Sequence, residues 1–424
     1  MINRAVAPEI VDAVNFHLQL KPYKKLVLKN GIEVYTVDAG AEELMMIEWV
    51  FYAGNWFEDK NLIAATSNFL LKNGTAKKNA FEINEHFEYY GSYLNRACYS
   101  ETATITLHSL TKHIGELLPV VRELISDSTM PEEELKIYKQ NMKQRLTVNL
   151  KKSDFVAGRT IDALVYGQHH PYGKFSSFED FDAVTRDELV AFYKKYYQQG
   201  KMILFAAGKL PSGFEKLLND NFGDIPVSNI ITAHQPLHPS AEKHHRISND
   251  PDGVQGSIRI ARPFPNRHHP DFMKVSVLNT IFGGFFGSRL MTNIREDKGY
   301  TYGIHSYLQN NIQDSTWMVS TEAGRDVCDA AVKEIYAEME DLREEIVDEE
   351  ELHLVRNYMM GIILGDLDGP FQILSRWKNI ILNNLDEKYF YNSINTIKTI
   401  SAEEIRELAK KYLNPDAFYE LIVI

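Results

Sequence analysis

The 424-residue chain carries 46 Lys plus Arg against 58 Asp plus Glu, a net charge of −12, with 44% hydrophobic and 25% charged residues. That length predicts two or more cores in an ordinary globular composition. The acidic balance excludes nucleic acid as an expected partner, since affinity for phosphate comes largely from cations.

No apolar run approaches the ~18–20 residues that span a bilayer, and Glu9 and Asp12 interrupt the one apolar stretch near the start. No membrane association is expected. Cys98 and Cys328 lie far apart and read as free thiols of a reducing compartment, which predicts a cytoplasmic protein.

In chain order, LVLK (26–29), EVYTVD (33–38) and LMMIEWVFYAG (44–54) read as strands, with a hairpin turn at Asn30-Gly31. Helices are predicted over 61–73, 80–90, 111–127 and 131–150, with a strand pair in 92–108. The second half repeats this grammar: strand 255–262, helices 269–282 and 287–297, strands 300–309 and 315–323, then helices 325–342 and 347–365. Hairpins followed by runs of helices predict the α+β class, with mostly antiparallel sheets covered by helices.

The two halves also end alike. TRDELVAFYKKYY (185–197) and SAEEIRELAKKYL (401–413) each open on a capping box, Thr185 to Glu188 and Ser401 to Glu404, 216 residues apart. Each carries Lys-Lys-Tyr at the same offset and runs into an apolar strand, MILFAAG (202–208) or FYELIVI (418–424). So long a period predicts two duplicated domains, 1–225 and 251–424. Between them, 226–250 has the prolines of an extended linker.

Three segments resemble one peptidase family. NLIAATSNFLLKNGT (61–75) has the frame of the active-site helix of the pitrilysin/insulinase inverted zincins. PEEELKIYKQNMKQRL (131–146) is similar to their following helix, and FGGFFGSRLMTNIREDKGYTYGIHSY (282–307) to their second-half signature. The resemblance covers essentially the whole chain and is to the half-size branch that includes the processing peptidases and respiratory-complex core proteins. It implies two homologous domains facing one another like a clamshell.

In the active branch, an H-x-x-E-H helix sets two His on one face to hold zinc, and its Glu acts as base. A Glu from the next helix is the third ligand. Counted from Asn73-Gly74-Thr75, this chain has Ala65 and Phe69 at the His positions and Asn68 at the Glu position. Arg145 falls at the third ligand, and Tyr138 where the family carries a further carboxylate. A methyl group and a phenyl ring cannot coordinate a metal, and Arg145 adds a fixed positive charge where zinc needs an anion. No metal or other cofactor is expected in this chain, and 61–73 reads as a packing helix.

The other histidines, adjacent pairs at 169–170, 244–245 and 268–269, plus His234 and His238 flanking Pro236, lack helical ligand spacing. There is no G-x-S-x-G and no P-loop; Gly283, Gly284 and Gly287 read as aids to close packing. ETATITLH (101–108) corresponds to an edge strand that, in the family, pairs with extended substrate.

Arg295 and Tyr302 match the family's paired Arg and Tyr, which the resemblance places on the peptide carbonyl that becomes the tetrahedral intermediate. Without the surrounding signature, Arg295 would simply pair with Glu296 or Asp297, and Tyr302 would pack in a strand.

The resemblance therefore implies a non-catalytic subunit that joins a zinc-bearing homologue, as a heterodimer, around a chamber for unfolded peptide. A homodimer stays open. Two other readings stand beside it. One is an autonomous zinc metalloendopeptidase with atypical ligands, which requires a His/Glu cluster that the sequence does not display. The other is a structural, core-type peptide-binding protein, which has no use for an oxyanion pair.

Overall fold

The computed structural model describes residues 11–229 and 233–424; Glu9 and positions 230–232 of the predicted linker lie outside the described residues. Strands β1 (Lys24–Val27) and β2 (Glu33–Asp38) form the first hairpin. Its turn falls at Asn30-Gly31, closed by the Gly31 N–H donating to the Leu28 carbonyl at 2.9 Å. Gly31 sits at φ 90°, where a Cβ would be strained.

With β3 (Leu44–Phe51), β4 (Tyr93–Cys98), β5 (Ala103–Leu110) and β6 (Met202–Gly208), this hairpin builds a sheet in the order β1-β2-β6-β3-β5-β4. The second sheet is β7 (His244–Ile247), β8 (Gln255–Phe264), β9 (Thr301–Asn310), β10 (Ser315–Gly324) and β11 (Tyr419–Val423), in the order β7-β11-β8-β10-β9. From β2 onward the two sheets match strand for strand. β2–β6 and β7–β11 are parallel, and every other pair is antiparallel.

Both capping boxes form, Thr185 with Glu188 and Ser401 with Glu404. The expected fold class, α+β with two homologous sheet-and-helix domains, is the one observed. One strand, β7, lies inside 226–250. No helix among the described residues is long and apolar enough to cross a membrane.

The stretch 101–108 is not an edge, contrary to expectation. β5 pairs with β3 on one side and β4 on the other, and both Thr104 and Ile105 are buried. A strand covered on both faces and paired on both sides cannot accept a peptide. The outer strands at this end of each sheet are β4 and β9.

Period-two alternation divides the first sheet between two cores. Met45, Ile47, Trp49 and Phe51 face the first half's own helices. Met46 and Val50, together with Tyr35, Val37 and Phe205, face a core shared with the second half. That shared core exists because the halves exchange helices. Helix Pro370–Leu382 brings Ile373, Leu374 and Trp377 to the first sheet. Helix Ser153–Tyr166 brings Ala157, Ile161 and Val165 to Ala261, Tyr419 and Leu421 of the second.

Each crossing helix meets a buried charge at an equivalent place, with the signs reversed. Glu48 lies opposite Phe205, and Arg259 opposite Leu421, 216 residues further on. Lys378 of the second half's helix donates to Glu48 at 2.7 and 3.0 Å. At the same offset back, Asp162 of the first half's helix faces Arg259. The hairpin tips also meet: Glu101, in the turn after β4, accepts from the Tyr172 hydroxyl and from the Ile312 N–H at 3.0 Å.

Candidate functional site

The helix with the zinc-site frame runs Ile63–Leu70. It is shorter than the predicted 61–73 because Leu62 takes φ 72° at its start and Asn73 closes a turn onto Leu70 at its end. Ile63, Ala64, Ser67 and Leu70 are buried. Asn68 is buried as well, its amide donating to the Thr104 carbonyl at 3.4 Å and the Tyr197 hydroxyl at 3.2 Å. A group pinned to the sheet in this way is structural.

Phe69 is 39% exposed, and its ring lies 4.5 Å from that of Tyr138, on helix Glu132–Asn149. Tyr138 is buried with Leu146 and Phe181, and burial raises its pKa. Ala65 is half-buried, and Arg145 is exposed, two turns along the helix from Tyr138. The structure thus joins Phe69 to Tyr138 directly and turns Asn68 inward.

Sequence reasoning missed Arg96. The alternation of β4 puts it on the same face as buried Leu94, and its guanidinium lies 5.0 Å over the Phe69 ring. It donates to the Phe69 carbonyl and, at 3.5 Å, to Asn73 Oδ1. Burial, with no ion-pair partner among the described residues, lowers its pKa to about 10. Lys72 is lowered too, first by burial and then by Arg96. An arginine on the inward face of a strand was the available signal.

Zinc, which the resemblance implies for the active branch, does not fit these residues. A methyl, two aromatic rings and two guanidinium groups occupy the frame, and a cation would meet Arg96 at short range. Among the described residues, no group of three or more His, Cys, Asp or Glu could hold a metal ion.

The second site is built differently. The helix Phe272–Asn279 continues into a π turn, Thr280–Gly284, where a Cβ on Gly283 would come within 2.7 Å of Ser306 Cβ on β9. The glycine lets strand and helix close up, as its sequence context predicts. A further π-type segment, Met291–Asp297, presents Arg295, and π turns recur at functional sites.

Arg295 is half-buried, with its guanidinium 4.6 Å from the Phe286 ring and 5.6 Å from the Tyr302 ring. Its carboxylate neighbour Glu296 is 3.9 Å away. Tyr302, near the start of β9, is 92% exposed. It therefore does not pack in its strand, and its hydroxyl has no hydrogen-bond partner among the described residues. The structure brings the predicted pair together, with both donors available to another molecule. Phe286, 61% exposed beneath Arg295, was not singled out by sequence.

Residues 183–359 match the family model described as the peptidase M16 inactive domain. The chain is 23% identical over 355 residues to an uncharacterized zinc protease, YmxG, of Bacillus subtilis, covering 82% of this chain and 85% of the relative. It is 22% identical over 385 residues to a Helicobacter pylori protein named a non-peptidase homolog, with 86% and 85% covered. The crystal structure of the peptidase M16 inactive domain from Pseudomonas fluorescens superposes with a TM-score of 0.83 at 22% identity, covering 95% of this chain and 98% of that one. Residues 183–359, Arg295 and Tyr302 included, are thus similar to the M16 inactive domain, and the chain as a whole has the two-domain fold of that solved structure.

Proposed function

We propose that this chain is the non-catalytic, peptide-binding subunit of a zinc-dependent peptidase complex, and that it lends Arg295 and Tyr302 to the zinc centre of a homologous partner. The observation that carries this reading is the exposure of Tyr302 beside Arg295, two donors whose side chains form no hydrogen bond among the described residues, with only the Glu296 carboxylate near Arg295, at 3.9 Å. A guanidinium and a phenol stabilise a developing oxyanion when both reach the same oxygen. Packing already restricts Arg295 between two rings, so part of the ordering cost is met before substrate arrives.

The partner supplies the intact H-x-x-E-H and its zinc; this chain supplies the second wall and binds unfolded peptide. A heterodimer is favoured over a homodimer because two copies of this chain would hold no zinc frame. The inactive-domain match and the relative named as a non-peptidase homolog support the absence of autonomous catalysis. We place the complex in the cytoplasm, where thiols such as Cys98 and Cys328, both unpaired, stay reduced.

The test is reconstitution with the zinc-bearing partner and an unfolded peptide. Arg295→Ala and Tyr302→Phe should each lower kcat and kcat/KM together, by about 10²–10³ for a lost oxyanion donor, while assembly measured by gel filtration is unchanged. A change confined to KM would assign the pair to ground-state binding. Unaltered kinetics for both variants would make the chain a structural scaffold.

A further inference from the structure

We propose that the filled zinc frame of the first half is a carboxylate-binding site, with Arg96 at its centre, Lys72 beside it, and Arg145 near Tyr138 at the far side of the Phe69–Tyr138 pair. What distinguishes this place is charge without counter-charge. None of the three cations forms an ion pair among the described residues, although Arg96 and Lys72 are partly withdrawn from water. Desolvating a cation without a partner is costly, and an arriving anion recovers that cost.

The geometry favours a planar anion. The Arg96 guanidinium lies 5.0 Å over the Phe69 ring, and the Phe69 carbonyl and Asn73 Oδ1 hold Nη1 alone. The remaining N–H groups form the edge that a carboxylate meets with two parallel hydrogen bonds. The aromatic floor of Phe69 and Tyr138 lowers the local dielectric and strengthens such a pair. Nearby acids are occupied or offset: Glu134 accepts from the Asn73 amide at 2.7 Å, and Glu88 lies toward Lys72.

Resting for this point on the proposed peptide-binding function, the source of the anion is a peptide, through its C-terminus or an Asp or Glu side chain. Both offer the same chemistry. The inference rests on these charges, apart from the Arg295–Tyr302 reading, so either can fail alone.

The experiment uses the full chain without a partner and three versions of one unstructured peptide carrying a neutral dye, at low ionic strength. The first has a free C-terminus and no acidic residue. The second is amidated with one Glu, and the third is amidated and uncharged. At least one carboxylate-bearing peptide should bind about tenfold more tightly than the uncharged one, and whichever does identifies the source. Added salt should narrow the gap. Arg96→Gln should abolish it, Arg96→Lys should keep part of it, and Arg145→Gln, on an exposed position, should reduce it about two- to threefold. Equal affinity for all three peptides on the unaltered chain would overturn the proposal. So would a full gap in Arg145→Gln together with a full gap in Arg96→Gln; should the latter not fold, Arg145→Gln decides.

Discussion

The two places where a helix crosses from one half to the other's sheet differ more than their common geometry suggests. At the first sheet, Lys378 closes on buried Glu48 through two hydrogen bonds. At the second sheet, Arg259 is bonded instead to Asp154, at the start of the same crossing helix, and Asp162 Oδ1 is left buried with no partner. Burial raises the Asp162 carboxyl to about 7, despite a hydrogen bond with the Gln309 side chain and Arg259 nearby. A duplicated scaffold thus kept a charge at the same position in each sheet, inverted its sign, and completed the pairing fully on one side only. The lesson is that duplication transmits backbone and burial, while each polar network is solved separately.

Breaking the closed pair should have the largest effect. Lys378→Met strands Glu48, only 7% exposed, and should lower stability by about 3 kcal/mol, the low end for breaking a buried pair because Lys378 is partly solvated. Urea unfolding reads this directly. A loss below ~1 kcal/mol would show that water replaces the lysine.

The open side predicts a pH dependence. With its folded pKa raised, Asp162 keeps a proton that the unfolded chain releases above about 4. Its contribution is full at low pH and is lost as pH rises toward about 7. Asp162→Asn should remove that part of the slope and stabilise the protein at pH ~8 relative to pH ~5, by on the order of a few kcal/mol. An unchanged slope in thermal unfolding would mean that Arg259 already neutralises the group.

The smallest effects test how alike the halves remain. Thr185→Ala and Ser401→Ala each remove one capping box and should each cost about 1 kcal/mol. The first helix widens into a π turn at Lys194–Gln198, whereas the second stays regular to Tyr412. A clearly smaller cost at Thr185 would show that the first terminus is held by packing of Tyr196 and Tyr197 instead.

Local chemistry in the sequence determined a good deal about this protein. Alternation at 33–38 and 44–51 and the turn at Asn30-Gly31 each act over a few residues. So do the capping boxes, and all could be read directly. The incompatibility of Ala65, Phe69 and Arg145 with zinc follows from side-chain identity alone. The adjacency of Arg295 and Tyr302 was legible through the family signature around them.

Only the tertiary structure decided which strand is an edge, because edges depend on partners far away in sequence; 101–108 looks half-exposed but lies between β3 and β5's other neighbour, β4. The exchange of helices and the inverted charges they meet are likewise invisible until the sheets are in place. Arg96 is the plainest case: its meaning comes from lying over Phe69, 27 positions away in the chain, and only folding sets a cation there with no counter-ion among the described residues, since burial and proximity are properties of the packed chain.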